Sequence, residues 1–514
     1  MARIFEIKIP RAIAAALHLP RNSPERQQLK VLKKLLKKAR FTAFGQKYLF
    51  DQILLEKDPT KKFRKIVPTH DYNKIYEEWW KQTLEGVPDV TWPGKIKYYA
   101  LSSGTSESAS KYIPVTKEML RSNKINYLRQ WLSLINYEHL PRNAVTKGFL
   151  MLGGATDLQK GAAGWYAGDL SGILAKNRPF WFQTFYKPGG RIARIKDWNE
   201  KLHEIVEKAP DWDIGYIVGV PAWCQMCMEM IVEHYKVKTI HEIWPNLGFF
   251  VHGGVAFEPY KKGFEKLLGK PIVYIENYLS SEGFIGFKDR EDAKGMRLIL
   301  DNNIFMEFVP FDDKNFDSEG KMVENPETYM VQEVEEGKDY ALLMSTNAGA
   351  WRYLLGDTLR FVDKEKAEVV ITGRTKHFLS LVGEHLSVEN MNRALQVVSE
   401  ELNVCIPEYT VVGFPHDNMF AHKWYVASDD SIDAAILAKK IDEQLCLLND
   451  DYAVERGSAL KEVFLEKLPE EMFLKFMEQQ GKVGSQHKFP RVLKGKMLEQ
   501  WNLFLEREKG MEHG

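Results

Sequence analysis

Apolar residues near the start of the chain follow the period of an amphipathic helix. Between residues 27 and 40 the apolar residues fall on one helical face and the lysines fall on the other. The spacing predicts a helix whose lysines are solvated, rather than a nucleic-acid or membrane contact. The residues of the apolar face are Leu29, Leu32, Leu35, Leu36 and Ala39.

From residue 147 onward, short β-rich segments alternate with longer helical ones. The helical segments are residues 222–235 and 257–269. Strand, helix and strand in this order predict a mainly parallel sheet with helices on its faces. The predicted strands are residues 148–154, 213–220, 247–254 and 271–279.

After about residue 295 the strand segments follow one another without a helix-length pattern between them. Antiparallel pairing is therefore expected in this part. The segments are residues 297–310, 339–347, 351–363 and 367–374.

A second region of alternating helix and strand patterns begins at Ser387. This residue is a suitable N-cap for a helix with an apolar face from Val388 to Leu402. Strands are predicted at 407–413 and 423–428, and helices from there to the end. The fold class is thus α/β, with a large N-terminal domain of mainly parallel sheet plus antiparallel strands and a smaller α+β domain. We place the boundary at the turn 373–377, giving domains 1–375 and 376–514.

Length and charge narrow the functional classes. The chain has 514 residues, enough for two or more domains, and 71 basic residues against 70 acidic ones. This balance gives no reason to expect a nucleic-acid or membrane partner. The apolar run after Arg11 is too short for a signal peptide, so a cytoplasmic location is expected.

The four cysteines do not form a disulfide framework, which also favours a reducing compartment. Cys224 and Cys227 form a C-x-x-C pair inside an apolar helical segment. No second cysteine pair and no spaced histidine pair accompanies them. We therefore interpret both thiols as packing residues rather than as a metal or redox site.

Residues 98–112, YYALSSGTSESASKY, carry the first candidate chemistry. Serines, Thr105 and Gly104 follow an apolar run and precede Lys111. By themselves they fit a polar surface turn or an anion cradle, in which hydroxyls and backbone N–H groups surround phosphate oxygens.

Further candidates lie at predicted strand ends, where ligands bind in parallel α/β sheets. Glu282 follows two serines at one strand end and could hold magnesium. The glycine pair in HGGVAF (252–257) allows a close approach to the backbone. Asp357 follows Gly356 in an apolar strand pair and either caps a turn or accepts hydrogen bonds from ligand hydroxyls.

Taken together and in this order, the motifs resemble one family. The chain is similar to the acyl-acid amido synthetases related to the plant auxin- and jasmonate-conjugating enzymes, a branch of the adenylate-forming superfamily. Segment 39–48 also resembles the start of that branch. The matching motifs are S-S-G-T-S at 102–106, Y-x-S-S-E at 278–282, R-x-x-x-G-D at Arg352, Gly356 and Asp357, and the superfamily hinge motif at Gly373, Arg374, Lys376, Gly383 and Glu384.

The resemblance implies an ATP- and Mg²⁺-dependent ligase that adenylates a carboxylic acid and passes the acyl group to an amine, with an amino acid as the expected acceptor. It also implies a set of roles. The β- and γ-phosphates would be held by Ser102, Ser103, Gly104, Thr105 and Ser106, and the α-phosphate region by Ser281. Glu282 would bind magnesium, Tyr278 would contact the adenine face, Asp357 would bind the ribose, and Arg374 would bind the ribose or phosphate. Lys496 would neutralise charge at the α-phosphate, and Lys376 would be the hinge.

The chain departs from the family pattern at two positions. Ser108 replaces a common glycine after Glu107, and His377 replaces the hinge aspartate. Two alternatives stay open: a thioester-forming acyl-CoA ligase, and a non-catalytic nucleotide- or acyl-binding protein. A Walker-type NTPase is disfavoured because the loop lacks G-x-x-x-x-G-K-[ST].

Overall fold

The computed structural model describes most of the chain. The described residues are 23–102, 111–177, 183–254, 257–317, 320–375, 378–379, 386–416, 419–449, 452–453, 456, 460–481 and 489–512.

The N-terminal part is helical and begins with the predicted amphipathic helix, α1 (Pro24–Ala39). Pro24 stands at its first position, and Ser23 caps it by accepting a hydrogen bond from the N–H of Arg26. Leu32, Leu35 and Leu36 are buried, whereas the lysines of the helix are exposed, as predicted. The next helices are α2 (Ala43–Lys47), α3 (Phe50–Leu55), α4 (Pro59–Ile66), α5 (Tyr72–Ile75), a π-helical turn (Tyr76–Trp80) and α6 (Lys81–Leu84).

A four-stranded sheet follows, with strand order β2-β1-β5-β4. β1 and β2 form an antiparallel pair that brackets residues 103–110, and Ser102 lies directly opposite Lys111 in the register. β2 is an edge strand of this sheet. The strands are β1 (Tyr98–Ser102), β2 (Lys111–Val115), β4 (Gln159–Lys160) and β5 (Tyr166–Gly168).

The largest sheet has eleven strands in the order β12-β13-β14-β15-β11-β10-β9-β8-β7-β3-β6. One part is parallel, because β3, β7, β8 and β9 pair as strand-helix-strand units, as predicted. These strands are β3 (Gly148–Leu152), β6 (Tyr186–Lys187), β7 (Ile214–Gly219), β8 (Phe249–Gly253) and β9 (Val273–Ser280).

Helices cover both faces of the parallel part. Phe250 of β8 packs with α9, α10 and α11 on one face, while its neighbour Phe249 packs against the segment after α7 on the other. This alternation follows from the period of two along a strand. The helices are α7 (Lys117–Ser133), α8 (Leu170–Lys176), α9 (Trp198–Lys208), α10 (Pro221–Tyr235) and α11 (Glu258–Leu267).

The other part of the same sheet is antiparallel, which confirms the prediction for the segment after residue 295. β14 is its longest strand and lies between β13 and β15. The strands are β10 (Gly283–Phe287), β11 (Met296–Leu298), β12 (Ile304–Pro310), β13 (Asp339–Thr346), β14 (Tyr353–Asp363) and β15 (Glu368–Arg374).

The C-terminal part contains a three-stranded sheet, and here one prediction was wrong. β20 (Leu460–Leu468) pairs in parallel with β19, although we predicted only helices after residue 428. Two pairs of charged residues, Lys461–Glu462 and Glu466–Lys467, interrupt the apolar residues of β20, so its sequence lacks a long apolar run, and the strand lies at the edge of its sheet. The other elements are β16 (Phe378–Leu379), β17 (Leu386–Ser387), α12 (Val388–Leu402), β18 (Tyr409–His416), β19 (Met419–Ala427), α13 (Ala434–Leu448), α14 (Glu470–Gln479) and α15 (Gly495–Glu512).

The C-terminal part rests on α10 and α11. The ammonium of Lys262 donates to the carbonyl of Ser399 at 2.6 Å. The Arg491 side chain hydrogen-bonds Tyr260 and also pairs with Glu408. Glu470, at the start of α14, faces two other carboxylates, those of Glu229 and Asp429, and this arrangement together with burial raises its pKa to about 7.

A buried ion pair joins the antiparallel strands to the N-terminal helices. The guanidinium of Arg352 contacts the Glu307 carboxylate at 2.9 Å, and their side chains are 6% and 1% exposed. Arg352 also donates to the carbonyls of Arg64 and Val67, both at 2.8 Å. With its charge paired and its N–H groups bonded, Arg352 fixes the end of α4 against the start of β14.

Removing the charge of Glu307 should strongly destabilise the protein. In Glu307→Gln the guanidinium of Arg352 stays buried without its counter-charge, so we expect the free energy of unfolding to fall by about 3–5 kcal/mol. Asp301→Asn is the control, because it breaks the exposed Arg129–Asp301 pair and should cost at most about 1 kcal/mol. Urea unfolding measures both losses, and equal small losses would contradict the structural role.

The raised pKa of Glu470 predicts a pH-dependent stability. The folded chain keeps this proton up to about pH 7, while the unfolded chain releases it near pH 4.5, so the stability from Glu470 is lost as pH rises between these values. Glu470→Gln should therefore gain about 1–3 kcal/mol over wild type from pH 5 to pH 8. The exposed neighbour provides the control variant, Glu471→Gln, which should show no such change. A pH-independent difference for Glu470→Gln would refute the assignment.

Candidate functional site

The carboxylate of Asp357 is the centre of the candidate site. Its Oδ2 accepts a hydrogen bond from the Tyr278 hydroxyl at 2.7 Å, and its Oδ1 lies 2.9 Å from Nε of Arg374. The charge of Asp357 raises the pKa of Arg374. Both carboxylate oxygens are thus held, one by each neighbour, and the orientation of the group is fixed.

The backbone of β14 explains why these side chains meet. Asp357 lies directly opposite Arg374 in the register of β14 and β15. Gly356, with φ of 92°, takes the left-handed conformation, and its carbonyl accepts from the N–H of Thr375 at 2.8 Å. Arg352 also has a positive φ, 43°, at the start of the strand, where its buried ion pair holds it.

Tyr278 reaches Asp357 from a distant strand. Three strands separate β9 from β14 in the sheet order, so in a flat sheet the two would be about 19 Å apart. A tyrosine side chain cannot span that distance. The sheet therefore curls and brings the carboxyl end of β9 next to β14, and the long-range contact between Tyr278 and Asp357 marks the junction.

Glu282 lies beside this junction, in the turn between β9 and β10. It is 8% exposed, and burial raises its pKa, while hydrogen bonds from its own backbone and from Ser280 and the charge of Lys111 act in the opposite direction. The hydroxyl of Tyr353 hydrogen-bonds its carboxylate. Glu282 is therefore a mostly buried carboxylate held by hydrogen bonds and facing a cation.

The strand ends that flank the predicted phosphate loop lie next to the same site. Lys111, directly after the loop, acts electrostatically on Glu282, so the base of the loop lies at the site. Ser102 is the last residue of β1. The remaining loop residues lie outside the described residues: Ser103, Gly104, Thr105, Ser106, Glu107 and Ser108.

Three further predicted positions are less informative. Ser281 is partly buried in the turn next to Glu282, whereas Lys376 and His377 of the hinge motif lie outside the described residues. Lys496 is the second residue of α15 and is exposed. Within the described part of the chain it makes no hydrogen bond or ion pair, so the structure does not bring it to Asp357.

Two tyrosines at the site were not predicted as site residues. Tyr353 contacts Glu282, and Tyr72 contacts the start of β2, where its hydroxyl accepts from the N–H of Tyr112 at 2.9 Å. Tyr353 lies inside the stretch that contains Asp357, which was the available sequence clue. Tyr72 precedes its partner by 40 residues and belongs to no motif that we used.

The glycine pair of HGGVAF serves a close approach between strands. A Cβ atom on Gly253 would lie 2.3 Å from Oδ1 of Asn277, so only glycine fits between β8 and β9 there. The predicted close approach to the backbone is therefore made by another segment of the chain itself.

The other candidate chemistry is structural. Cys224 and Cys227 are buried in α10 and burial raises the pKa of both thiols, that of Cys227 to about 12. In the described ranges, no group of three or more histidine, cysteine or acidic side chains is arranged to hold a metal ion. Of the helices that the structure describes, none is long and apolar enough to cross a membrane.

Comparison with models of known protein families shows which family the chain belongs to. Models of the GH3 family N-terminal, central and C-terminal domains match residues 15–206, 297–371 and 389–496, which together make up more than half of the chain. The chain belongs to the GH3 family. The segment with Tyr278 and Glu282 lies between the first two matched ranges of this GH3 chain.

Curated relatives of this GH3 chain are plant enzymes. It is 34% identical over 170 residues to an indole-3-acetic acid-amido synthetase, GH3.2, of Arabidopsis thaliana, which is 31% of this chain and 28% of that protein. It is 27% identical over 222 residues to the synthetase GH3.4 of the same plant, 41% of this chain and 34% of the relative. The chain therefore aligns with only about a third of each relative's length.

Solved structures extend the similarity of fold to nearly the whole chain. The GH3.15 acyl acid amido synthetase superposes with a TM-score of 0.75 at 17% identity, covering 94% of this chain and 93% of that one. A 2-hydroxyisobutyryl-CoA ligase superposes with a TM-score of 0.61 at 12% identity, covering 96% of each chain. The chain therefore shares its overall fold with these two proteins, which confirms the predicted fold class.

Proposed function

We propose that this GH3 protein is an ATP-dependent ligase that adenylates a carboxylic acid and transfers the acyl group to the amine of an amino acid. The observation that carries the proposal is a cluster at the end of β9, formed by Asp357, Tyr278, Arg374 and Glu282. It lies next to the base of the predicted phosphate loop, which is the serine-rich loop of residues 103–110. Family membership and the names of the plant relatives support the amide product.

The cluster suits a nucleotide. A carboxylate held in one orientation, as Asp357 is, can accept hydrogen bonds from the two ribose hydroxyls, and Arg374 beside it supplies a positive charge for ribose or phosphate oxygens. Tyr278 supplies an aromatic ring for the adenine. The serines and Thr105 of the loop supply hydroxyls for the β- and γ-phosphates, with Ser281 near the α-phosphate and Lys111 at the base.

Glu282 fits a magnesium ligand. Its carboxylate is a hard oxygen donor, and its burial beside Tyr353 leaves it in a fixed position. Magnesium bound there would neutralise charge on the triphosphate oxygens. The chain's own part is to hold Glu282 in place through the hydrogen bonds from Ser280 and Tyr353.

The reaction proceeds in two displacements. An oxygen of the substrate carboxylate bonds to the α-phosphorus of ATP, and the bond to pyrophosphate breaks. The amine nitrogen then attacks the acyl carbon, AMP leaves with the electron pair of the cleaved C–O bond, and the amine loses a proton. The first step develops charge at phosphorus, so fixed cations and hydrogen-bond donors accelerate it most.

Lys496 is proposed to supply a cation for the first step after the C-terminal domain moves. It is exposed at the start of α15, in a domain whose contacts with the large domain include those of Ser399 and Arg491 with α11. Acyl transfer needs an open path for the amine instead, and a rotated domain provides it. We take residues 376–514 as the moving unit and Lys376 as its hinge, and we place the protein in the cytoplasm.

Exchange of pyrophosphate into ATP tests the function. Purified protein is screened with a library of carboxylic acids, and the active acids are then incubated with amino acids or with coenzyme A. Acid-dependent exchange and an amide product are expected. A thioester product would establish the acyl-CoA ligase alternative, and no exchange with any acid would leave a non-catalytic binding protein.

Glu282→Gln keeps the shape of the side chain but removes its charge. Because a neutral amide is a poor magnesium ligand, exchange should fall by about 100-fold or more and should recover partly at high magnesium. A magnesium titration of the exchange rate measures this. A variant with the wild-type magnesium dependence would remove Glu282 from the metal site.

Lys496→Ala should separate the two steps. Pyrophosphate exchange should fall by about 100-fold, because only adenylation develops charge at the α-phosphate, while a pre-made acyl-adenylate should be converted within about threefold of the wild-type rate. The control is Lys494→Ala, a change of an exposed lysine two residues away. Equal losses in both steps would contradict the proposed role of Lys496.

A further inference from the structure

A short segment, Thr69–Tyr72, contacts two strands at the candidate site, β14, which carries Asp357, and β2, which begins at Lys111. The backbone of His70 pairs with the start of β14: its N–H donates to the carbonyl of Arg352 at 2.9 Å, and its carbonyl accepts from the N–H of Leu354 at 2.8 Å. Two residues on, the hydroxyl of Tyr72 accepts from the N–H of Tyr112 at 2.9 Å. One segment thus contacts both β14 and β2.

The contact with β2 has a clear physical reason. β2 is the edge strand of its sheet, so every second backbone N–H points away from β1 and needs another acceptor. For Tyr112 that acceptor is the Tyr72 hydroxyl. The ammonium of Lys111 lies over the Tyr72 ring, 5.3 Å from its centroid, which adds a cation–π contact at the neighbouring residue.

Tyr72 is itself held rigidly. Its ring stacks on Tyr76, with centroids 5.5 Å apart and planes at 22°, and meets the edge of the buried Trp80. Asp71 caps the short helix that Tyr72 begins, by accepting from the N–H of Lys74 at 2.9 Å. A side chain fixed in this way can fix the strand that it contacts.

We propose that Tyr72 is a positioning residue that holds the start of β2, and through it Lys111 and the base of the serine-rich loop, in register with Glu282. Lys111 is one of the described cations that act on Glu282, together with Arg374, and it directly follows the loop. Moving β2 by a fraction of an ångström would move this charge relative to the bound phosphates. The inference rests on the proposed ATP site and assigns a role to a residue outside its motifs.

Kinetics of Tyr72→Phe test the proposal. The variant keeps the ring and the cation–π contact but leaves the Tyr112 N–H without its acceptor. We expect KM for ATP to rise about threefold to tenfold, with KM for the carboxylic acid and kcat within about twofold of wild type. Tyr76→Phe is the matched control, since Tyr76 lies in the same aromatic stack and its hydroxyl makes no hydrogen bond to any residue that the structure describes; its constants should not change.

A double-mutant cycle with Lys111→Met shows whether Tyr72 acts through Lys111. If it does, adding Tyr72→Phe to Lys111→Met should raise KM for ATP by less than about twofold, whereas independent effects would multiply. The thermal midpoint of each variant is measured alongside, so that a loss of folding is detected separately from a change in KM.

The outcomes separate the two claims. An unchanged KM for ATP in Tyr72→Phe, an equal rise in KM for the acid, or multiplicative effects with Lys111→Met would each overturn the positioning role while leaving the ligase proposal intact. Wild-type protein that exchanges no pyrophosphate with any acid would overturn the ligase proposal, and this inference with it.

Discussion

The hydrogen bond and ion pair at Asp357 connect the parts of the fold that make the candidate site. Tyr278 comes from the end of the parallel part of the sheet, Arg374 from the last antiparallel strand, and the carboxylate between them binds both. Because β9, which carries Tyr278, is not a neighbour of β14, which carries Asp357, the contact between these two residues requires the eleven-stranded sheet to curl. The site is thus a consequence of how the two parts of one sheet meet.

The N-terminal helices stabilise this junction through their contacts with the start of β14. Arg352, at the start of β14, keeps its left-handed backbone because its guanidinium is buried against Glu307 and bonded to the carbonyls of Arg64 and Val67. This motif residue therefore acts in the structure rather than at the ligand. The start of β14 also pairs with His70, so the N-terminal helices contact the strand that carries Asp357.

The sequence predicted local elements well because their causes are local. Period-two and period-3.6 patterns predicted β3, β7, β8 and β9 and the helices between them, and the order of motifs predicted the family. The antiparallel strands that bring Asp357 opposite Arg374 were also predicted, although the pairing of the two side chains was not.

What the sequence did not predict depends on distant contacts. Tyr72 and Tyr353 matter through partners that the fold brings together from far along the chain, and neither has a local pattern that reveals its partner. β20 was missed because an edge strand interrupted by two pairs of charged residues resembles a polar segment until its parallel partner, β19, is known.

A crystal structure with magnesium and a non-hydrolysable ATP analogue tests the central claim most directly. The account predicts that the ribose hydroxyls contact Asp357 while Tyr278 and Arg374 keep their places beside it, and that the triphosphate lies between Glu282 and the residues after β1. A nucleotide bound elsewhere, with the Asp357 carboxylate still held by Tyr278 and Arg374 alone, would contradict it.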